Sequence, residues 1–120
     1  MNNCAILISD YRGISWGLYH YGDGSSDKVG KELKSFIQYI VDATGPLVSS
    51  DFILILNAFN SDYEINTGPH EEEEYFYKIF IDHNCISIEC RYRGENSIES
   101  NRDTWPIVEN FSKSYDFHKI

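Results

Sequence analysis

The clearest pattern of apolar and polar positions runs from Glu73 to Arg93, EEYFYKIFIDHNCISIECRYR. If His83-Asn84 is a two-residue loop, Ile81 faces Ile86, Ile79 faces Ile88, Tyr77 faces Cys90 and Tyr75 faces Tyr92. On the other side Phe80 meets Ser87, Lys78 meets Glu89, Phe76 meets Arg91 and Glu74 meets Arg93. One register thus yields an apolar face and, behind it, two ion pairs and an aromatic–Arg contact. A slip of one residue would mix the two faces. The spacing predicts a hairpin of Tyr75–Asp82 with Cys85–Tyr92. Its loop is expected to need φ > 0 at both central residues.

A second pattern predicts a helix from about Ser26 to Ala43. Val29, Leu33, Phe36, Ile37 and Ile40 follow helical spacing, and Lys28, Lys31, Glu32 and Lys34 fall on the solvent side. Ser25 or Ser26 is the expected N-cap, Asp27 lies in the first turn, Gly45 suits the C-terminus and Pro46 stops the helix.

Elsewhere the pattern is shorter. Cys4–Ser9 reads as a buried strand, Asp10–Gly13 as a turn, and Ile14–Tyr21 as a strand returning beside the first. In that strand Ile14, Trp16, Leu18 and His20 share one face. Phe52–Leu56 (FILIL) is apolar throughout and is expected to be a central strand buried on both faces. Asn60–His70 reads as a long exposed loop, and Gly94–Asp103 is polar again. Thr104 is expected to cap a short C-terminal helix with Pro106 in its first turn and an apolar stripe of Ile107, Val108, Phe111 and Tyr115. The elements add up to an α+β fold. The expected architecture is a single, mostly antiparallel sheet of about five strands, in the order β-β-α-β-β-β-α, with helices packed on one face. No repeat or linker divides the 120 residues, so residues 1–120 are expected to form one domain.

Charge changes the picture of possible partners. The net charge is −9, and the half from Ser61 onward carries 13 acids against 6 bases. Between Asn57 and Tyr77 there are six acids and no Lys or Arg. Such a stretch argues against nucleic acid or an anionic membrane as partner and favours a basic protein. Solubility alone is the bland alternative. Four acids in succession, Glu71, Glu72, Glu73 and Glu74, stand with Asp62 and Glu64 among Tyr63, Tyr75 and Tyr77. Acids steer a basic partner and tyrosines anchor it, so these nine residues are the expected partner-binding site.

Candidate chemistry adds little. Cys4, Cys85 and Cys90 are odd in number and lack CxxC spacing, as expected of reduced thiols in the cytoplasm. The N-terminus lacks a basic secretory leader, and no apolar run approaches the length of a membrane span. Gly22-Asp23-Gly24-Ser25-Ser26 leads into a helix but lacks the Walker lysine, and Lys34 stands where a calcium loop needs Glu. His20, His70, His83 and His118 show no metal-ligand spacing. Asp82, His83 and Cys85 hold residue types found in nucleophilic catalysis, yet neighbours on a tight turn diverge. No catalytic residue, metal or cofactor is therefore expected.

In size, acidity and aromatic content the chain resembles bacterial immunity proteins, of the contact-dependent growth inhibition or bacteriocin type. The resemblance rests on this overall profile and carries no residue roles with it. It implies a cytoplasmic, non-catalytic inhibitor that binds a cognate, basic, nuclease-type toxin domain. A small-ligand-binding or enzymatic α+β domain, and a structural homo-oligomer subunit, are the alternative readings.

Overall fold

The computed structural model describes residues 3–45, 47–65, 73–94 and 101–115. Six strands form one mixed sheet: β1 (Cys4–Asp10), β2 (Ser15–His20), β3 (Tyr63–Ile65), β4 (Tyr75–Ile81), β5 (Cys85–Tyr92) and β6 (Ile107–Ser114). Their spatial order is β3-β2-β1-β4-β5-β6. Only β1 and β4 run parallel; the other neighbours are antiparallel. Two helices, α1 (Lys31–Thr44) and α2 (Ser49–Phe59), pack on one side, and a single π-helical turn at Ser26–Gly30 leads into α1. The α+β class and the one-sided helices are as expected, with one strand more.

The β4–β5 hairpin has the register read from its alternation, with Ile79 opposite Ile88 and Tyr75 opposite Tyr92. Its inner face is buried at Ile79, Ile81, Ile86, Ile88, Tyr77 and Cys90. The loop differs from expectation, because no non-glycine residue described has positive φ. A local hydrogen bond and two tertiary contacts hold it instead. The His83 N–H donates to Asp82 Oδ1 at 2.7 Å, the His83 ring stacks on Tyr11 at 3.8 Å, and the Tyr115 N–H donates to the Asn84 carbonyl at 2.8 Å. The outer-face ion pairs also differ. Lys78 pairs with Asp103 and Arg91 with Glu89, and Arg102, not Arg91, lies over the Phe76 ring.

Helix α1 buries Leu33, Phe36, Ile37 and Ile40 as its spacing requires, and Gly45 ends it with φ 85°. Ser25 precedes the π turn but makes no side-chain capping bond.

Phe52–Leu56 is not a central strand but the middle of α2. An unbroken apolar run of this length suits either state, and the flanks decide. Ser49, Phe52, Ile53 and Leu56 face the core at helical spacing, while Leu54 is 68% exposed. The Ser49 N–H, one of the donors a helix start leaves unpaired, donates to the buried Asp10 carboxylate at 2.9 Å. The centre of the sheet belongs to β1 and β4, paired over their full length.

The expected C-terminal helix is strand β6. Glu109, Phe111 and Lys113 are half-buried and alternate with exposed Val108, Asn110 and Ser112, a period of two. The free edge of β5 offered hydrogen bonds that a helix would have left unused. The preceding residues form a tight turn, Arg102–Thr104, that carries Trp105 onto the second face of the sheet. There Trp105 packs with Ala5, Tyr19 and Phe76 as a small second core, apart from the main core between sheet and helices. No single helix among the described residues is long and apolar enough to cross a membrane.

Candidate partner-binding surface

The strand registers bring both halves of the acidic segment to one end of the sheet. Tyr63 pairs with His20, His20 with Cys4, Cys4 with Tyr75 and Tyr75 with Tyr92. These residues form one row across β3, β2, β1, β4 and β5. Asp62, just before β3, and Glu64, within it, flank the row at the sheet edge and are exposed, and Glu74 is half-buried just before β4.

Asp23, read from sequence only as part of a loop, belongs to the same end. Its charge acts on both His20 and Tyr75. The Ser25 hydroxyl and N–H hold the Asp23 carboxyl below the ordinary carboxylate range, so it remains ionised. Tyr75 and Tyr92 lie with ring centroids 4.8 Å apart, and Tyr21, half exposed, sits edge-on to Tyr19. Only the folded register joins Asp23, Tyr21 and Tyr92 to the acidic segment; their sequence neighbours carry no such signal.

Several expected contact residues serve the core instead. Tyr63 was expected on an exposed loop, yet it is 2% exposed, because β3 pairs with β2 and turns the ring inward against His20, 5.1 Å away. Burial raises its phenol far above the ordinary range, and the Glu32 carboxylate adds to the shift. Tyr77 is fully buried and donates to the Gly24 carbonyl at 2.7 Å, tying the loop before α1 to the sheet. Glu73 is 4% exposed and pairs with Arg102 at 2.9 Å. It therefore holds the Trp105 turn onto the second face and is not free to meet a partner. Tyr75 and Glu74 are half-buried, and Asp62 and Glu64 are exposed as expected. Glu71 and Glu72 lie outside the described residues.

Cys4, Cys90 and His20 are enclosed, whereas Cys85 is half-buried and His83 exposed. Burial pushes the Cys4 thiol well above its usual range and raises that of Cys90, which keeps both protonated. His20 is buried, its pKa lowered chiefly by that burial, and its Nδ1 has no hydrogen-bond partner. Asp82 and His83 sit at the hairpin loop, away from this end of the sheet. Among the described residues no three His, Cys, Asp or Glu side chains group closely enough to hold a metal ion.

Two other concave surfaces stand apart from the acidic end. A groove of about 260 Å³ between α1 and α2 is lined by Glu32, Ser35, Phe36, Tyr39, Leu56 and Phe59. A wider hollow of about 520 Å³ lies on the open part of the second face, over Lys78, Phe80, Ser87, Glu89, Asn110 and Ser112.

Comparisons with protein-family models, with curated proteins and with solved structures returned no match to this chain.

Proposed function

We propose that the chain is a non-catalytic, cytoplasmic binding protein of the immunity type, which neutralises a basic toxin domain by occupying its surface. The observation that supports this is the gathering of acids at one end of the sheet: Asp23 and Glu74 act on Tyr75 of the Tyr75–Tyr92 pair, Asp23 and Asp62 act on His20, and Glu64 follows Tyr63 on the β3 edge. A nuclease site is basic because it binds phosphates, and exposed carboxylates beside amphipathic rings complement such a surface. Strand pairing places Glu64, Tyr75 and Tyr92 before contact, which lowers the ordering cost of binding.

The test begins with the gene next to the one encoding this chain, which should specify a toxin C-terminal domain. Co-expression of the chain should restore growth to cells making that domain. With purified proteins, the Asp62→Asn/Glu64→Gln double variant should associate more slowly at low salt, with a flatter salt dependence. A chain that neither restores growth nor binds the domain would refute the immunity reading. Normal binding with unchanged association rates would move the contact away from the β3 edge.

A further inference from the structure

Strand β6 ends the sheet and leaves an eight-residue edge with no described strand beyond it. The direction of its backbone groups follows from its pairing with β5. The Tyr115 N–H donates to the Asn84 carbonyl, and Lys113, Phe111 and Glu109 continue in the same phase opposite Ile86, Ile88 and Cys90. Their N–H and C=O groups are therefore spent on β5. Those of Asn110, Ser112 and Ser114 point away from the sheet, and these three residues are exposed.

We infer that this edge pairs with the β6 edge of a second copy of the chain, antiparallel and centred on Phe111. A strand can pair antiparallel with itself only if its pattern reads alike in both directions. Here it does so about one residue. Centring on Phe111 places Asn110 opposite Ser112, both with outward backbone groups, so that these become the hydrogen-bonded pairs. Phe111 then faces its own copy at a non-hydrogen-bonded position, where side chains approach most closely. Glu109 faces the second copy's Lys113, and Lys113 faces the second copy's Glu109. Centring on Asn110 or Ser112 would also satisfy the backbone, but would set Phe111 against Glu109 or Lys113 and leave Lys113 without an acid opposite it. Odd shifts oppose outward-pointing to inward-pointing groups.

The charge pattern thus selects both the partner and the register. Two chains of net charge −9 repel at a distance. The affinity comes from the ladder and from burial of the half-exposed Phe111 pair, while Glu109 and Lys113 decide the alignment. The interface would join two sheets edge to edge into one. It lies across the sheet from the β3 edge, so it does not depend on the toxin-binding proposal.

Sedimentation equilibrium of the whole chain over a range of concentrations tests this. The wild type should approach twice the chain mass as concentration rises. Ser112→Pro removes an outward N–H that β5 does not use. It should abolish the dimer while circular dichroism and thermal melting show a folded monomer. Lys113→Glu and Glu109→Lys each set like charges opposite each other at both ends of the ladder. Each should weaken self-association by about tenfold or more, equivalent to about 1.4 kcal/mol. Mixed together, the two variants should regain wild-type association, because every charge again faces its opposite. Glu109 also pairs with Lys34 in its own chain. If Glu109→Lys fails to fold, Lys113→Glu and Ser112→Pro decide the question. A wild type that remains monomeric at every concentration would overturn the inference. So would dimerisation unaffected by Ser112→Pro and Lys113→Glu, which would place self-association on another surface.

Discussion

Asp10 joins three parts of the molecule through one carboxylate. It accepts from the Arg12 guanidinium and N–H in its own turn and from the Ser49 N–H at the start of α2. The Arg12 side chain is the main reason that its pKa lies below the ordinary carboxylate range, and Ser49 adds to the effect. A group so depressed stabilises the fold above its unfolded pKa of about 3.9, and that contribution is lost as pH falls through this value toward the folded one. Asp10→Ala should therefore cost about 1–3 kcal/mol at neutral pH and make the acid side of the stability profile shallower. Chemical denaturation across acidic pH checks both, and an unchanged acid slope would show that Asp10 does not carry the linkage. His20 contributes at milder pH. Burial favours its neutral form, so stability should decline as pH drops below about 6.5, where the unfolded chain takes up the proton. His20→Phe should flatten the change in Tm between about pH 7 and pH 5, and a wild-type Tm constant over that range would contradict the assignment.

At the scale of elements, α2 offers a direct contrast. Were FILIL a strand, Leu54 and Leu56 would share one face and respond alike to truncation. In the helix Leu56 is buried and Leu54 exposed. Leu56→Ala should cost about 2–5 kcal/mol, whereas Leu54→Ala should stay within roughly 0.5 kcal/mol of wild type. Equal losses in urea denaturation would restore the strand. Leu33→Ala on α1 should also cost about 2–5 kcal/mol, because Leu33 is fully buried between helix and sheet. The same reasoning separates β4–β5 from β6. The hairpin carries its own partner in sequence, so its register is legible from alternation alone. The pattern of β6 was open to helix or strand until the edge of β5 was in place to receive it.

For the whole molecule, the acidic segment divides into groups that fold and groups that face outward. Replacing Glu71 through Glu74 together would mix these roles, because Glu73 holds Arg102 beneath the Trp105 turn. Glu73→Gln should lower stability by about 1–3 kcal/mol, since it leaves the Arg102 charge unmatched beside a covered sheet face. Asp62→Asn/Glu64→Gln should leave the urea midpoint nearly unchanged, since exposed charges contribute little to folding. If Glu73→Gln proves as innocuous as that double variant, the ion pair does not secure the turn.

Features whose partners lie nearby in the chain were legible in the order of residues: the β4–β5 register, the buried stripe of α1, the β1–β2 hairpin and the excess of acids around β3 and β4. Alternation and helical spacing are local properties, and each of these elements carries its own. It took the packed fold to show that FILIL is a helix, that β6 is a strand, and that Tyr63 and Glu73 turn inward. Each of those outcomes depends on a group distant in sequence: the Asp10 carboxylate for α2, the free edge of β5 for β6, His20 for Tyr63 and Arg102 for Glu73. The acidic end was legible as composition. Its geometry was not, because Tyr63 and Tyr75 enter one row only after β2 and β1 have come between β3 and β4.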